Sequence, residues 1–392
     1  MENLVSLKYL DSYEYEKVRK SIQELFADLH IEQIIKPKMK VLIKVCLPYS
    51  SAPDQAITTH PAIVRGVVDV LSEFGAKCIL ADSPYDKYTT SHMEKVYINT
   101  GMLEVANFTK CKLNYNLKTT TIDLPNGIET KSLTLLDIVN DVDIIINLAK
   151  VKIDKRLGYL GATSNLYGLV PAEMKTLILN RLDTLKDYYN YLIDIVSALS
   201  DKLALNIADA VVAFEAGESQ RMLSCLSISK NVFSLDAVML DILGLNLNES
   251  IVKVASDRGL VDVDNPYSIE EGESVEQFRV ENFAVYDYKL TQPINRNRFK
   301  QRQYFNSCQQ RPVIDANKCK GCTICSEICP TNAIMMKYDK SGELYAEIDY
   351  KKCIFCNRCH TGCPYSIVEL KTPIGYKKLT KSISKYNKEK QS

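Results

Sequence analysis

The sequence predicts an α/β protein: a mostly parallel β-sheet with helices on both faces, followed by a small, cysteine-rich α+β domain. Three observations carry that expectation. Apolar β-branched runs of strand length alternate with amphipathic helical stretches through residues 12–258. The first strand–helix–strand unit is roughly 40 residues long, the size of a right-handed crossover between parallel strands. Eight of the 13 cysteines fall between Cys319 and Cys363.

In chain order, residues 12–29 place Val18, Ile22, Leu25, Phe26 and Leu29 on one helical face. Residues 41–47 are a β-branched apolar run and read as a buried strand. Pro61 opens a helix whose apolar face is Ile63, Val67, Val70, Leu71 and Phe74, and Gly75 ends it. Residues 77–81 read as the next strand and 142–148 as a third. A helix is expected over 188–199, a strand over 203–208, and helices over 237–243 and 249–258, the last closed by Gly259. Residues 262–290 are acidic and weakly patterned and receive no assignment.

Composition bounds the function. The 392 residues are 46% apolar, enough for two or three domains with a sizeable core. A 25% charged content is the ordinary globular value and argues against wholesale disorder. The near balance of 49 basic and 48 acidic residues does not indicate a nucleic-acid-binding surface. No apolar run reaches the roughly 18 residues of a membrane span. Residues 1–11 lack a signal-peptide core, so a cytoplasmic protein with reduced thiols is expected.

Charge divides the chain into four parts. Residues 1–291 hold 30 basic and 40 acidic side chains and form the α/β body. Residues 292–312 hold five basic and no acidic ones, a basic linker that Tyr304 and Phe305 could anchor. The cysteine-rich domain spans 313–372 and a lysine-rich tail 373–392. The tail reads as a solvated end.

The clustered cysteines repeat one spacing, C-x2-C-x2-C-x3-C-P. The first copy is Cys319, Cys322, Cys325, Cys329 and Pro330; the second is Cys353, Cys356, Cys359, Cys363 and Pro364. Four converging thiolates suit a [4Fe–4S] cube. A zinc site also uses C-x2-C pairs but needs neither the third cysteine, nor the proline, nor the duplication. Residues 313–370 resemble a bacterial-type two-cluster ferredoxin, with Gly321, Pro330, Ala333, Ile334, Gly362 and Pro364 at its turn and packing positions. The resemblance implies a ferredoxin-like domain with two [4Fe–4S] clusters. In such ferredoxins the last cysteine of each run ligates the opposite cluster. One cluster would then use Cys319, Cys322, Cys325 and Cys363, and the other Cys353, Cys356, Cys359 and Cys329. His360 is expected at the surface or behind the ligands. Cys46, Cys78, Cys111, Cys225 and Cys308 form no C-x2-C pair, and Cys46 and Cys78 are expected in the core.

In open parallel sheets, ligands bind beyond the carboxyl ends of the strands. Those ends carry Lys44, then Tyr49, Ser50, Ser51, Thr58, Thr59 and His60; Asp82 and Ser83; Asn147, Lys150, Lys152, Lys155 and Arg156; and Asp209. The set is rich in donors and cations and suits an anionic ligand. Plainer readings stand beside it. His60 or Asp82 could cap a helix, and the lysines could be a solvated loop. Gly158, Gly161 and Gly168 fit tight backbone packing as well as a phosphate cradle, and no P-loop or dinucleotide fingerprint is present.

Residues 40–66, "KVLIKVCLPYSSAPDQAITTHPAIVRG", resemble the DUF362 family. So do "CILADSP" at 78–84, "IIINLAKVKIDKRLGYLGATSNLYGLVP" at 144–171, "LNIADAVVAFEAG" at 205–217 and "FSLDAVMLDILG" at 233–244. Many members carry a ferredoxin module after the body. The resemblance implies an iron–sulfur architecture more than a chemistry. The family often has histidine where Asp154 stands, and lysine where Ser164 stands.

The expectation that follows is a ferredoxin-fed reductase. A redox partner protein would charge the clusters, which would reduce an anionic small molecule at the sheet edge. Lys44, His60 and Asp82 are the candidate catalytic residues, with His60 as proton donor; Lys150, Lys152 and Asp209 would bind substrate. The alternatives are a non-catalytic relay that docks a partner redox enzyme, and a binding protein whose clusters are structural.

Overall fold

The computed structural model describes residues 3–85, 88–217, 219–294, 311–327, 329, 331–339, 341–353, 358–361 and 363–371. Tyr304, Phe305, Cys308, Cys356, Pro330, Gly362, most of the linker and the tail lie outside the described residues. The chain forms two compact units. The first comprises Met1–Ile122, Thr134–Lys175 and Thr184–Gln292; the second comprises Asp123–Leu133, Thr176–Asp183 and Pro293–Ser392.

The first unit follows the expected α/β plan. Its elements are β1 (Val5–Tyr9), α1 (Tyr15–Asp28), β2 (Lys40–Lys44), α2 (Pro61–Glu73), β3 (Lys77–Ala81), α3 (Thr90–Asn99), α4 (Met102–Thr109) and β4 (Lys112–Leu113). A hairpin of β5 (Thr119–Asp123) and β6 (Ser132–Leu136) follows, its Asp123–Leu133 part assigned to the second unit. Then come β7 (Ile144–Asp154), β8 (Gly158–Leu160), α5 (Ala162–Asn165), α6 (Ala172–Arg181, assigned to the second unit from Thr176 on), α7 (Leu185–Leu199), β9 (Leu203–Phe214), β10 (Gln220–Ser229), α8 (Val232–Ile242) and α9 (Ile251–Asp257).

The eight-stranded sheet runs β1-β10-β9-β7-β2-β3-β4, with β8 paired to β7. The pairs among β9, β7, β2, β3 and β4 are parallel. Those of β10 with β9 and of β1 with β10 are antiparallel. Sequence periodicity had not marked β1 or β10. The central strands are apolar on both faces: Val41, Leu42, Ile43, Ile145, Ile146 and Leu148 are fully buried. Helices α1 and α2 pack on each other, and α5, α7, α8 and α9 form a second helical group. Gly66 permits the first contact, since a Cβ there would stand 2.8 Å from Ile22 Cδ1. Each buried Val, Leu or Ile of these faces contributes about 1.5–3 kcal/mol.

Two boundaries differ from expectation in a way that matters for the site. β7 continues to Asp154 and β9 to Phe214, so Lys150, Lys152 and Asp209 lie inside strands and not in the loops after them. Strand β2 ends at Lys44, which leaves Cys46 just beyond it. The acidic segment 262–290 is largely irregular and straps the first unit through backbone bonds. Val5 N donates to Ser268 O (2.9 Å), Glu273 N to Leu7 O (3.0 Å) and Lys186 N to Leu290 O (2.9 Å).

The second unit contains two small antiparallel sheets. β11 (Arg311–Ile314) pairs β14 (Val368–Lys371), and β12 (Ile334–Tyr338) pairs β13 (Leu344–Ile348). Its core gathers Cys325, Ile334, Ala346, Ile348, Cys359 and Val368.

Candidate functional site

Strand order reverses between β2 and β7. From β2 the chain moves outward to β3 and β4; from β7 it moves the other way, to β9 and β10. The loops after β2 and β7 therefore part, and a crevice opens at their carboxyl ends. A cavity lies there, walled by Cys46, Asp82, Ser83, Lys150, Lys152 and Lys175, with Tyr85, Ser164 and Asn165 completing it.

Lys44, the last residue of β2, is fully buried beside this cavity and is not part of its wall. Its Nζ pairs with Asp82 Oδ1 at 3.1 Å and donates to Val45 O (2.5 Å) and Asn165 Oδ1 (3.1 Å). The Asp82 carboxylate also accepts from Leu47 N and from Ser83 N. Asn165 Nδ2 in turn donates to Lys44 O, Asn147 Oδ1 and Leu148 O, tying α5 to β2 and β7. A Cβ on Gly168 would collide with Asp82 Oδ1 and Lys44 Nζ, and one on Gly161 with Tyr159 and Asp236. These glycines serve close packing.

Lys150 and Asp209 face each other in the parallel register of β7 and β9. Lys150 Nζ lies 3.0 Å from Asp209 Oδ2 and donates to Tyr13 Oη at 2.8 Å. Tyr13 Oη donates to Asp209 Oδ1 at 2.8 Å, and His60 N to Asp209 Oδ2 at 3.0 Å. Burial lowers the pKa of Lys150, and Asp209 opposes that shift. Lys152 Nζ donates to Cys46 Sγ and to Ile57 O, both at 3.1 Å. The solvated-loop reading therefore does not hold for Lys150, which is 2% exposed and inside a strand.

His60 stands elsewhere. Its Nδ1 accepts from Ala62 N (3.2 Å) and caps α2, and its ring stacks on Tyr13 at 3.6 Å between centroids. Burial pulls its pKa down to about 4, with Lys150 adding to the effect against Asp209. A neutral, capping imidazole outside the cavity wall is poorly placed to donate a proton there. The positions that set this sequence apart are also structural. Asp154 Oδ1 accepts from Arg156 N and Leu157 N in a turn, and Ser164 Oγ donates to Gly161 O.

Three wall residues escaped sequence reasoning. Lys175, on α6, donates to Ser83 O and lies 4.9 Å from the Tyr85 ring centroid. Burial brings its pKa down to about 7. A lysine on a helix ordinarily points to water, so its sequence signal is weak. Tyr85 follows the "DSP" turn and carries no pattern of its own. Cys46 was expected in the core; it is 7% exposed but forms part of the wall.

In the second unit the structure brings Cys319, Cys322, Cys325 and Cys363 around one small cavity, which is the first of the two crossed sets. Burial, and then Cys319, Cys322 and Cys363 around it, push the Cys325 thiol up to about 11. Crowded sulfurs of this kind repel one another as thiolates unless a cationic cluster neutralises them. Among the described residues no group of three His, Cys, Asp or Glu side chains is arranged around a single ion. Cys319, Cys322, Cys325 and Cys363 line one space, as four ligands to a single cluster must. Cys329, Cys353 and Cys359 belong to the same core, and Cys329 Sγ accepts from Ala333 N at 3.2 Å. Gly321 has φ +62°, and a Cβ there would press on Leu344 O at 2.6 Å, so the loop between the first ligands needs glycine. His360 is exposed, with Nδ1 2.5 Å from Val368 O.

Comparison with known proteins agrees with both units. A 4Fe-4S dicluster domain matches residues 318–367. The chain is 27% identical over 257 residues to "Thylakoid-associated protein sll1697" of Synechocystis sp., covering 63% of this chain and 76% of that protein. A structure of the lactate racemase apoprotein from Thermoanaerobacterium thermosaccharolyticum aligns with a TM-score of 0.34 and 13% identity. That alignment covers 57% of this chain, which spans about half (53%) of that one. Among the described residues no helix is long and apolar enough to cross a membrane. The C-terminal domain is a 4Fe–4S cluster-binding domain. The model of "Domain of unknown function (DUF362)" matches residues 41–245, more than half of the chain, and the protein belongs to that family.

Proposed function

We propose that this protein is a reductase in which two [4Fe–4S] clusters supply electrons to an anionic substrate bound in the switch-point cavity. The charge balance of that cavity carries the reading. Lys44 and Lys150 are matched by Asp82 and Asp209. Lys175, fully buried, and Lys152, half-buried, also line this cavity, and their partners are a thiol and backbone carbonyls. Among the described residues neither is paired with a carboxylate. Desolvating a cation without a counter-ion costs several kcal/mol, so an entering anion would relieve an existing penalty.

Reduction also needs protons. With a pKa of about 7, Lys175 is half-protonated near neutrality and lines the cavity, so it replaces His60 as the proton donor in this reading. When bound, the clusters would be held by Cys319, Cys322, Cys325 and Cys363, and by Cys353, Cys356, Cys359 and Cys329, and would supply single electrons.

The test is anaerobic. Dithionite-reduced protein is mixed with small oxidised anions (sulfite, nitrite, 2-oxo acids) and cluster reoxidation is followed by absorbance. An anion that discharges the wild type, and fails to discharge Lys152→Met/Lys175→Met with its clusters intact, supports the reading. Discharge that ignores both substitutions removes the cavity from consideration.

A relay reading has one observation in its favour. Tyr365, on the wall of the cysteine cavity, is 53% exposed, and Ile324 and Met335 of the same unit are also exposed. Apolar surface beside a redox centre suits a docking partner protein. Discharge to a second redox protein, with none to any small anion, would favour the relay.

A further inference from the structure

We propose that Cys46 is a covalent nucleophile of the switch-point cavity, acting on a small anionic carbon electrophile whose charge is held by Lys152 and Lys175. This rests on the anion-site reading and adds a chemical step to it. Cys46 lies in the wall, and the Lys152 ammonium reaches its sulfur at 3.1 Å. That charge-assisted contact keeps the sulfur oriented, and Cys46 Sγ also faces Ile57 O at 4.0 Å.

A second observation points independently to a ligand. Ser83 is fully buried in the same wall, and its hydroxyl has no hydrogen-bond partner among the described residues. Buried hydroxyls in folded proteins are nearly always paired, and leaving one unpaired costs about 1–3 kcal/mol. A bound oxyanion would accept from Ser83 Oγ and from the lysine heads together. The other buried cysteines of this unit lack such a setting. Cys78 and Cys225 have their thiols held well above the ordinary range by burial, and neither lies in this wall.

The step is a substitution and needs no oxidant or reductant. The Cys46 thiol gives up its proton to water, the sulfur lone pair forms an S–C bond to the electrophilic carbon, and the leaving group departs with the electron pair of the bond that breaks. The lysines hold the anionic group of the incoming molecule, so charge on the electrophile should help here, where it would hinder a free thiol.

Iodoacetate and iodoacetamide test this on the anaerobic holoprotein, with labelling of the Cys46 peptide followed by mass spectrometry. A free thiolate reacts faster with the neutral reagent. Cys46 is expected to react faster with iodoacetate. Sulfate should protect it, and Lys152→Met should cut the iodoacetate rate by about tenfold. Lys152→Arg should retain most of that rate, because it keeps the cation. Preference for iodoacetamide, or no labelling of Cys46, overturns the proposal. The parent reading fails separately: Cys46→Ser should still bind sulfate, measured by calorimetry, and loss of sulfate binding in the wild type sinks the anion site itself.

Discussion

Lys150 and Asp209 form an ion pair of 3.0 Å across two adjacent parallel strands, with both side chains 1% exposed. Such a pair is neutral inside and expensive when halved. Asp209→Asn leaves a buried ammonium and loses one of the two acceptor oxygens that serve Tyr13 Oη and the amide of His60. The expected loss is about 3–5 kcal/mol in urea unfolding. Lys150→Met combined with Asp209→Leu should recover much of it, because no uncompensated charge remains. A double variant as unstable as Asp209→Asn would show that the hydrogen bonds, not the charge, dominate.

His60 makes stability depend on pH. Its pKa in the folded chain is about 4, depressed chiefly by burial, against an ordinary value near 6.5. The unfolded chain therefore binds the proton more readily. The stability tied to neutral His60 is complete above about pH 6.5 and is lost as pH falls toward about 4. Its size is up to about 3 kcal/mol. His60→Asn keeps a capping side chain at the start of α2 and removes the titration. Urea midpoints should then fall less between about pH 7 and about pH 5 than in the wild type.

Much of this architecture was legible because it rests on local chemistry. The β-branched runs 41–47 and 77–81 and the Pro61–Gly75 helix appeared close to where periodicity put them. The cysteine spacing located the second unit without help from tertiary structure. What was missed needed long-range information. Strands β1 and β10 are defined by their antiparallel pairing at the sheet edge, and Lys8 and Arg221 interrupt their apolar pattern. Lys175 joins the cavity only through a long-range contact, its Nζ reaching Ser83 O, 92 residues away in sequence. His60 drew attention as a histidine beside a helix start, and its role there proved to be that start.

Lys175 makes anion binding depend on pH. Burial lowers its pKa to about 7, so the cationic form is lost as pH rises through neutrality. Sulfate does not titrate in this range, so calorimetry with sulfate isolates the protein's own groups. Affinity is expected to weaken about tenfold between about pH 6 and about pH 8 if binding requires the ammonium. Lys175→Met should bind weakly at both values and lose the pH dependence. Lys175→Arg should bind at both, since guanidinium stays charged.

Cys363 lines one cavity with Cys319, Cys322 and Cys325, although it belongs to the second run in sequence. Two clusters with crossed ligands should give about eight iron atoms per chain, and about four when one site is lost. The pairing can be read from double substitutions, because two lesions in one site do not add. Cys322→Ala with Cys363→Ala strikes the same cluster, so the pair should lose no more iron than either change alone. Cys353→Ala with Cys363→Ala strikes both clusters and should lose nearly all of it. Uncrossed ligation predicts the reverse ranking, with the Cys322 and Cys363 pair the more damaging. Iron and acid-labile sulfide assays on anaerobically prepared protein, backed by the visible absorbance of the clusters, separate the two arrangements. The same assays expose a zinc site, which would carry metal without sulfide or colour.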